Sequence, residues 1–338
     1  MSQTVRITTG ARLHFGLLDV TTPFGGCGVM IDTPETIVQF SESPDFTFSQ
    51  SDGGLNHQDR ATDIARRIVE RLGTAGPLPR AHVRVLCTAP AHTGLGSGTQ
   101  LSLAIAEGLI RVSDGQLSSG RESKLATELS NEQRAIWLQS SDRGRRSAVG
   151  TYGYLNGGLI LEGFGPPDDG AALNTLHERL ELPSTWRVAI ILPATRAIDV
   201  VYGDQEQAKF NALRRADSSS RESLKAILSE RLIPAIRAGD FADFCVATHQ
   251  YNHDSGLLFA DVQGGPYNGA ATTRLIADLR GTGLAGVGQS SWGPGVFAWF
   301  PNDASAAEFR RSLSAAEYRV FIARPLSTGR RLETVTGD

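Results

Sequence analysis

Apolar and polar residues alternate over 4–8 and again over Glu35-Thr36-Ile37-Val38-Gln39-Phe40. A period of two predicts strands with one buried face. Over 59–72 the period lengthens: Ile64, Ile68 and Leu72 recur four apart, which predicts a helix stopped by Gly73. Residues 82–87 (His82-Val83-Arg84-Val85-Leu86-Cys87) return to strand alternation. After Pro90 and a glycine turn, a helix is predicted from Ser97 to Arg111, with Leu101, Ile105 and Leu109 on one face. A helix over 122–139 and strands over 154–162 and 187–192 follow, and Pro166-Pro167-Asp168-Asp169-Gly170 reads as a linker. Beyond it the pattern predicts helices near 204–215, 220–238, 240–251 and 269–280. It continues with strands near 284–288 and 295–300, a helix at 303–314 and a last strand at 318–323. Strands mixed with long helices in both halves predict the α/β class, in two lobes, 1–170 and 171–338, with a cleft between them.

Composition narrows the partners. The chain has 338 residues, 33 basic and 36 acidic, with a formal net charge of -3. That balance argues against a nucleic-acid partner. No apolar run approaches the roughly 20 residues that span a bilayer, and the start of the chain lacks the basic-then-apolar order of a signal peptide. The expectation is a cytoplasmic protein without a membrane partner. Cys27, Cys87 and Cys245 form no CxxC pair, so neither a disulfide framework nor a cysteine zinc site is expected. Glycine numbers 37 and gathers in short clusters.

Those clusters carry the candidate chemistry. Gly94-Leu95-Gly96-Ser97-Gly98-Thr99-Gln100 follows a predicted strand and opens a predicted helix. Free N–H groups at a helix start attract phosphate, and glycines let the backbone approach it. The spacing matches neither the Rossmann nor the Walker pattern. Gly286-Val287-Gly288-Gln289-Ser290-Ser291-Trp292-Gly293-Pro294-Gly295 lies between two predicted strands. Its density of glycine suits close approach to a ligand or to the first turn. Arg12 and His14 share one face of a predicted strand, and Asp19 begins the loop after it. Arg143 to Arg146, followed by Ser147 and Gly150, offers guanidinium groups beside a turn, suited to clamping phosphate. Asp261 to Tyr267, with Gln263, is expected to open a helix at the cleft. His249, His253 and Asp254 have helical spacing but no HExxH pattern, and no metal site is expected there.

The Arg-x-His segment, the Pro-x-x-x-Gly-Leu-Gly-Ser turn and the later Gly-x-Gly turn together resemble the GHMP superfamily of small-molecule kinases. Gly94 to Gln100, Val262-Gln263-Gly264-Gly265 and Gly288-Gln289-Ser290-Ser291-Trp292-Gly293-Pro294 resemble one branch, the β-ribofuranosylaminobenzene 5′-phosphate synthase family. The resemblance runs from about Thr9 to Phe300. It implies two α/β (α+β) lobes, the first like ribosomal protein S5 domain 2 and the second ferredoxin-like. It also implies a homodimer. The implied reaction joins 4-aminobenzoate to phosphoribosyl pyrophosphate with loss of CO2 and pyrophosphate, in methanopterin biosynthesis.

Two departures from the superfamily bear on chemistry. GHMP kinases generally carry an Asp as base before a Gly-Gly strand, and here the matching stretch, Ser147 to Gly153, has no carboxylate. That weakens the alternative of an ATP-dependent kinase. Archaeal members of the branch usually place an arginine in the loop after the Asp matching Asp19, and here Phe24-Gly25-Gly26-Cys27 stands there. On this resemblance Gly94 to Gln100 cradles pyrophosphate, and Mg2+ is expected on Asp19. Arg12 or Arg146 meets the 5′-phosphate or the carboxylate. His14, Ser147, Gln263, Gly288, Gln289, Ser290, Ser291 and Trp292 complete the site, with Trp292 and Tyr152 as candidate flanks for the aromatic ring. The further alternative is a non-catalytic sensor of a phosphorylated metabolite.

Overall fold

A computed structural model describes residues 3–22, 24–51, 53–73, 76–113, 128–165, 173–194, 213 and 218–336. Strand β1 (Gln3–Leu17) is long because its alternation continues past the predicted 4–8. Val5, Ile7, Ala11, Leu13 and Phe15 all point into cores. β1 pairs antiparallel with β2 (Gly26–Glu42), with register shifts between Thr9 and Ala11 and between His14 and Gly16. β3 (Thr47–Gln50), β4 (Ala81–Cys87), β5 (Leu159–Glu162) and β6 (Leu176–Leu180) extend this sheet, and β11 (Arg331–Thr336) joins it on the far side of β1. A second, antiparallel sheet has the order β10 (Tyr318–Ala323), β7 (Arg187–Pro193), β9 (Val296–Phe300), β8 (Val287–Gln289).

Helices α1 (Gln58–Arg71), α2 (Ser97–Ser113) and α3 (Asn131–Ser141) pack on the first sheet. The α2 stretch from Gln100 to Arg111 is buried on all sides. There is no room for a Cβ at Gly108, which would strike the Phe40 ring. Its acid, Glu107, is fully buried against Arg111 at 2.6 Å, Arg330 at 2.8 Å and the Tyr154 hydroxyl at 2.6 Å. Arg330 comes from the segment just before β11, so the end of the described chain locks into the first lobe.

The second half begins with α5 (Ser218–Ala226), which runs through a π-helical stretch, Ile227–Leu232, into α6 (Ile233–Ala238). α7 (Phe241–Leu257), α8 (Ala260–Gln263), α9 (Gly269–Gly281) and α10 (Asp303–Ser312) follow. One core joins β1, β2 and β5 of the first sheet to β7, β9 and α5 to α7, and a second packs α9 and α10 on the other face of the second sheet. Among the described residues no helix is long and apolar enough to cross a membrane.

The strand predicted over 154–162 is corrected. Residues Val149–Asn156 form the short helix α4, and only Leu159–Glu162 is strand. The aromatic residues that suggested a strand serve a helix, because the Glu162 carboxylate accepts the Ala148 N–H at its start and Gly157 (φ 64) ends it. The segment Asp261 to Tyr267 leads through Asn268 into helix α9, as expected. It holds the single turn α8, closed by Gly264 at φ 82. The predicted helix at 204–215, apart from residue 213, and the linker Pro166 to Gly170 lie outside the described residues, as does most of the first part of 122–139. β3, β6 and β11 are additions to the predicted elements.

Candidate active site

A cleft of about 970 Å3 lies where the two glycine turns meet. The turns touch backbone to backbone. A Cβ at Gly94 (φ 84) would overlap the Ser290 carbonyl, and one at Gly293 would overlap the Gly94 nitrogen. Ser290 Oγ donates to the Gly94 carbonyl at 2.8 Å, and Gly295 N donates to the Thr93 carbonyl at 3.2 Å. β1 braces both turns. Arg12 N donates to the Leu95 carbonyl at 2.9 Å, His14 N to Ser290 Oγ at 3.0 Å, and Ser291 N to the His14 carbonyl at 3.2 Å.

Part of the cleft lining is cationic. Arg12, Arg60, Arg143, Arg145 and Arg146 all belong to it, beside Gly96, Ser97, Gly98 and Thr99 at the start of α2. Arg12 lies against Gly96 and Arg60 against Gly98. Burial and the neighbouring Arg60 charge pull the Arg143 pKa down to about 10, and burial lowers that of Arg60. Arg143 Nε is buried without a hydrogen-bond partner among the described residues. Gathered guanidinium groups with suppressed pKa values await an anion that would relieve their mutual repulsion.

Another part of the lining is apolar and aromatic. Leu17, Val20, Phe24, Phe259 and Trp292 form it, with Trp292 edge-on to Phe259 at a centroid distance of 4.9 Å. Gln263 and Tyr267 supply polar atoms near this wall. Gln263 Nε2 is spent on the Gly256 and Gly265 carbonyls, while Gln263 Oε1 and the Tyr267 hydroxyl are buried without partners among the described residues. Burial pushes the Tyr267 pKa up to about 12, so it stays a donor.

His14 also lines the cleft, with Nε2 3.0 Å from Ser147 Oγ. Burial first, and then the Arg12 charge, holds its pKa well below the usual histidine value, so the ring is neutral at pH 7.

The remaining candidates divide. Ser291 and Gln289 line the cleft, and the Gln289 side chain also fastens the turn by bonding Asn268 N and the Ser291 and Gly293 carbonyls. Gly288 and Ser290 support the turn from behind: a Cβ at Gly288 would overlap Asn252 Oδ1. Leu95 is buried in the core, and Gln100 bonds Thr9 Oγ1 and the Gly150 carbonyl, so both brace the first turn rather than face the cleft. Tyr152 donates to the Asn174 carbonyl at 3.0 Å and stands away from the cleft lining. Asp19 also lies off the lining. It is 1% exposed, and its carboxylate accepts from Thr21 N and Oγ1 and sits 3.6 Å from Arg221 Nη1. The arginine absent from the loop after Asp19 is thus met by one from α5.

Sequence reasoning missed Arg60, His57 and Glu162. Arg60 sits in the first turn of α1, where attention to Ile64 and Ile68 hid it. Glu162 was legible as a lone acid closing the apolar run Leu159-Ile160-Leu161.

The family described as GHMP kinases N terminal domain matches residues 59–136, and the one described as GHMP kinases C terminal matches 232–319. The first covers α1 to α3 with the glycine turn, and the second covers the other turn. Beta-ribofuranosylphenol 5′-phosphate synthase of Methanothermobacter thermautotrophicus is 29% identical over 313 residues, covering 86% of this chain and 87% of that protein. The protein of the same name from Methanocaldococcus jannaschii is 22% identical, over 87% and 88%. Both halves of the chain thus match GHMP kinase families, and over most of its length the chain is similar to these synthases. The relatives' name differs from the motif resemblance in the ring substituent, a phenol in place of an aminobenzene. In fold, this GHMP protein is similar to homoserine kinase from Cytophaga hutchinsonii (TM-score 0.63, 15% identity, 98% of this chain and 97% of that one). It is similar too to mevalonate diphosphate decarboxylase from Enterococcus faecalis (TM-score 0.63, 12% identity, 99% and 100%). The chain is an enzyme, as its synthase relatives are named.

Proposed function

We propose that the enzyme transfers the ribosyl 5-phosphate group of phosphoribosyl pyrophosphate to the carboxyl-bearing ring carbon of a para-substituted benzoate, releasing CO2 and pyrophosphate. The observation that carries this reading is the mixed lining of one cleft: five arginines and a helix start together with a cluster of apolar and aromatic side chains. 4-Aminobenzoate is the acceptor the motif resemblance implies. 4-Hydroxybenzoate is the acceptor that corresponds to the relatives' name.

The donor carries a 5-phosphate and a pyrophosphate group, which suit the arginines and the N–H groups of the Gly94–Gly98 turn. Fixed cations stabilise departing pyrophosphate without reorganisation at the moment of bond breaking. The ring lies along Trp292 and Phe259, and Gln263 Oε1 and the Tyr267 hydroxyl supply an acceptor and a donor for its polar ends. The para substituent pushes electrons toward the attacking carbon, and loss of CO2 restores aromaticity. A homodimer accompanies this proposal, as the resemblance implies.

Mg2+ usually binds through one or two carboxylates plus substrate phosphates. The donor set here does not fit a protein-held ion. Asp19 is committed to Thr21 and Arg221 off the cleft, and the cleft's Asp142 is 2.5 Å from Arg145. Among the described residues no three His, Cys, Asp or Glu side chains gather into a metal cluster. The arginines take up the phosphate charge, and no step of the proposed reaction passes through the metal.

The test is an incubation with phosphoribosyl pyrophosphate and carboxyl-labelled 4-aminobenzoate or 4-hydroxybenzoate, scored for released CO2, beside a tube with ATP replacing phosphoribosyl pyrophosphate. Label released only with phosphoribosyl pyrophosphate is the expected result. ATP consumed in the presence of an alcohol acceptor, with no label released, would return the enzyme to the kinases. Binding of phosphoribosyl pyrophosphate without turnover of either benzoate would leave a sensor.

A further inference from the structure

Between β1 and β2 the chain makes a loop, residues 18–25, that closes on itself. Leu18 N donates to the Gly25 carbonyl at 3.1 Å, and Asp19 N to the Phe24 carbonyl at 2.9 Å. Asp19 Oδ1 accepts from Thr21 N and Oγ1 inside the turn. The loop carries Val20 and Phe24 into the cleft lining, where they cluster with Leu17, Phe259, Val262 and Trp292. The apolar part of the lining is therefore built from two halves of the chain: this loop from the first, and α8 with the second glycine turn from the other.

Backbone bonds close the loop, and a side chain from a distant element fixes where it stands. Arg221, in the first turn of α5, is largely buried and lies off the cleft lining. Its Nη1 is 3.6 Å from Asp19 Oδ2, and its Nη2 donates to the Gly163 carbonyl at 2.7 Å. Gly163 follows β5 and lies against Gly25, with no room for a Cβ on either residue. One guanidinium thus holds both the acid of the loop and the strand end on which the far side of the loop rests. A rigid planar fork reaches two acceptors at once, which a compact ammonium does less well.

We infer that Arg221 is a positioning residue for the aromatic acceptor: it clamps the 18–25 loop so that Val20 and Phe24 form their part of the ring's wall before the ring enters. This role rests on the transferase reading. Without the clamp the same two side chains would have to be ordered as the ring binds, and that ordering would be lost from its affinity. The cationic part of the lining stands on other supports. Arg60 comes from α1, Arg12 lies against Gly96, and Arg143 to Arg146 precede α4. Loss of the clamp therefore reaches the acceptor and spares the donor.

Calorimetry with 4-aminobenzoate and 4-hydroxybenzoate, in the presence of pyrophosphate, reads the acceptor without turnover. In Arg221→Ala the better-bound benzoate is expected to lose about 10-fold in affinity, the cost of ordering two side chains on binding, and its KM to rise alike. The Kd of phosphoribosyl pyrophosphate is expected to stay at the native value. Guanidinium ion, at a concentration that leaves the native enzyme unaffected, is expected to restore much of the benzoate affinity, and sodium chloride at the same ionic strength is not. Arg221→Lys keeps the charge but not the fork and is expected to fall between. Equal losses of benzoate and phosphoribosyl pyrophosphate would overturn the inference and make Arg221 a support of the fold alone, and so would native benzoate affinity. If Arg221→Ala does not fold, Asp19→Asn combined with Arg221→Gln leaves neither charge unpaired. It is expected to show the same acceptor-selective loss, and native affinity there would overturn the clamp. A native enzyme that binds a benzoate but releases no CO2 fails the transferase reading alone, and the selective loss of binding would still support the clamp. A native enzyme that binds neither benzoate gives Arg221 nothing to position and overturns its role.

Discussion

Single buried residues set the pH response of this protein. Glu162 is raised from the ordinary carboxylate range to about 7, so between pH 4.5 and 7 the unfolded chain has released a proton that the native state still holds. Native stability therefore falls as pH rises through this window, by up to about 3 kcal/mol from this residue. His14 acts in the opposite sense, because its depressed pKa makes the unfolded state the better proton binder below about 6.5. The two slopes oppose each other in the native protein, and Glu162→Gln separates them. Denaturant unfolding from pH 4.5 to 7.5 is expected to show the variant gaining stability relative to native as pH rises. A constant difference would mean that Glu162 titrates normally. Asp19→Asn loses charge opposite the partly buried Arg221 and is expected to cost about 2 kcal/mol. Calorimetry with Mg2+ is expected to show no protein-held site in either the native protein or the variant. At this scale Arg12 and His14 were legible, since strand alternation puts both on one face. Glu162 was not tied to them, because the residues separating it from Ser147 form a helix that the pattern reads as strand.

Among the elements, α2 and α1 show how a buried surface and a binding surface are built differently. α2 has apolar residues on every side, so its one sequence stripe, Leu101, Ile105 and Leu109, told only part of its environment. Its Glu107 needs two arginines. Arg330→Ala leaves a buried acid with fewer partners and is expected to cost about 3 kcal/mol in unfolding experiments. α1 instead presents Arg60 to the cleft, close enough to lower the Arg143 pKa. Arg60→Ala is expected to leave stability unchanged or slightly raised, by easing that repulsion. It should weaken phosphoribosyl pyrophosphate about 30-fold, a charge-assisted bond of about 2 kcal/mol, as calorimetry would show. A simple loss of fold would lower both together.

Across the whole molecule, the decisive contact is the meeting of two turns almost 200 residues apart, Gly94 against Ser290 and Gly293. Gly94→Ala and Gly293→Ala each insert a methyl group into the other turn, and each is expected to cost several kcal/mol and the binding of phosphoribosyl pyrophosphate. Because both push the same pair of turns apart, the double variant is expected to cost well under the sum. Additive losses in a double-mutant cycle would show that the turns act independently.

Local regularities determined the α/β class, most of the elements and both glycine turns, because period, helix stops and glycine clusters act over a few residues. The family motifs lie in those same short stretches. Tertiary structure alone decided which side chains share the cleft. Arg60 joined the arginines and Asp19 left the site for Arg221, while Tyr152 turned toward Asn174. Glu162 came to rest behind Ser147. Each of these outcomes depends on burial and on partners supplied by distant segments, and charge in a protein interior is settled by what surrounds it rather than by its neighbours along the chain.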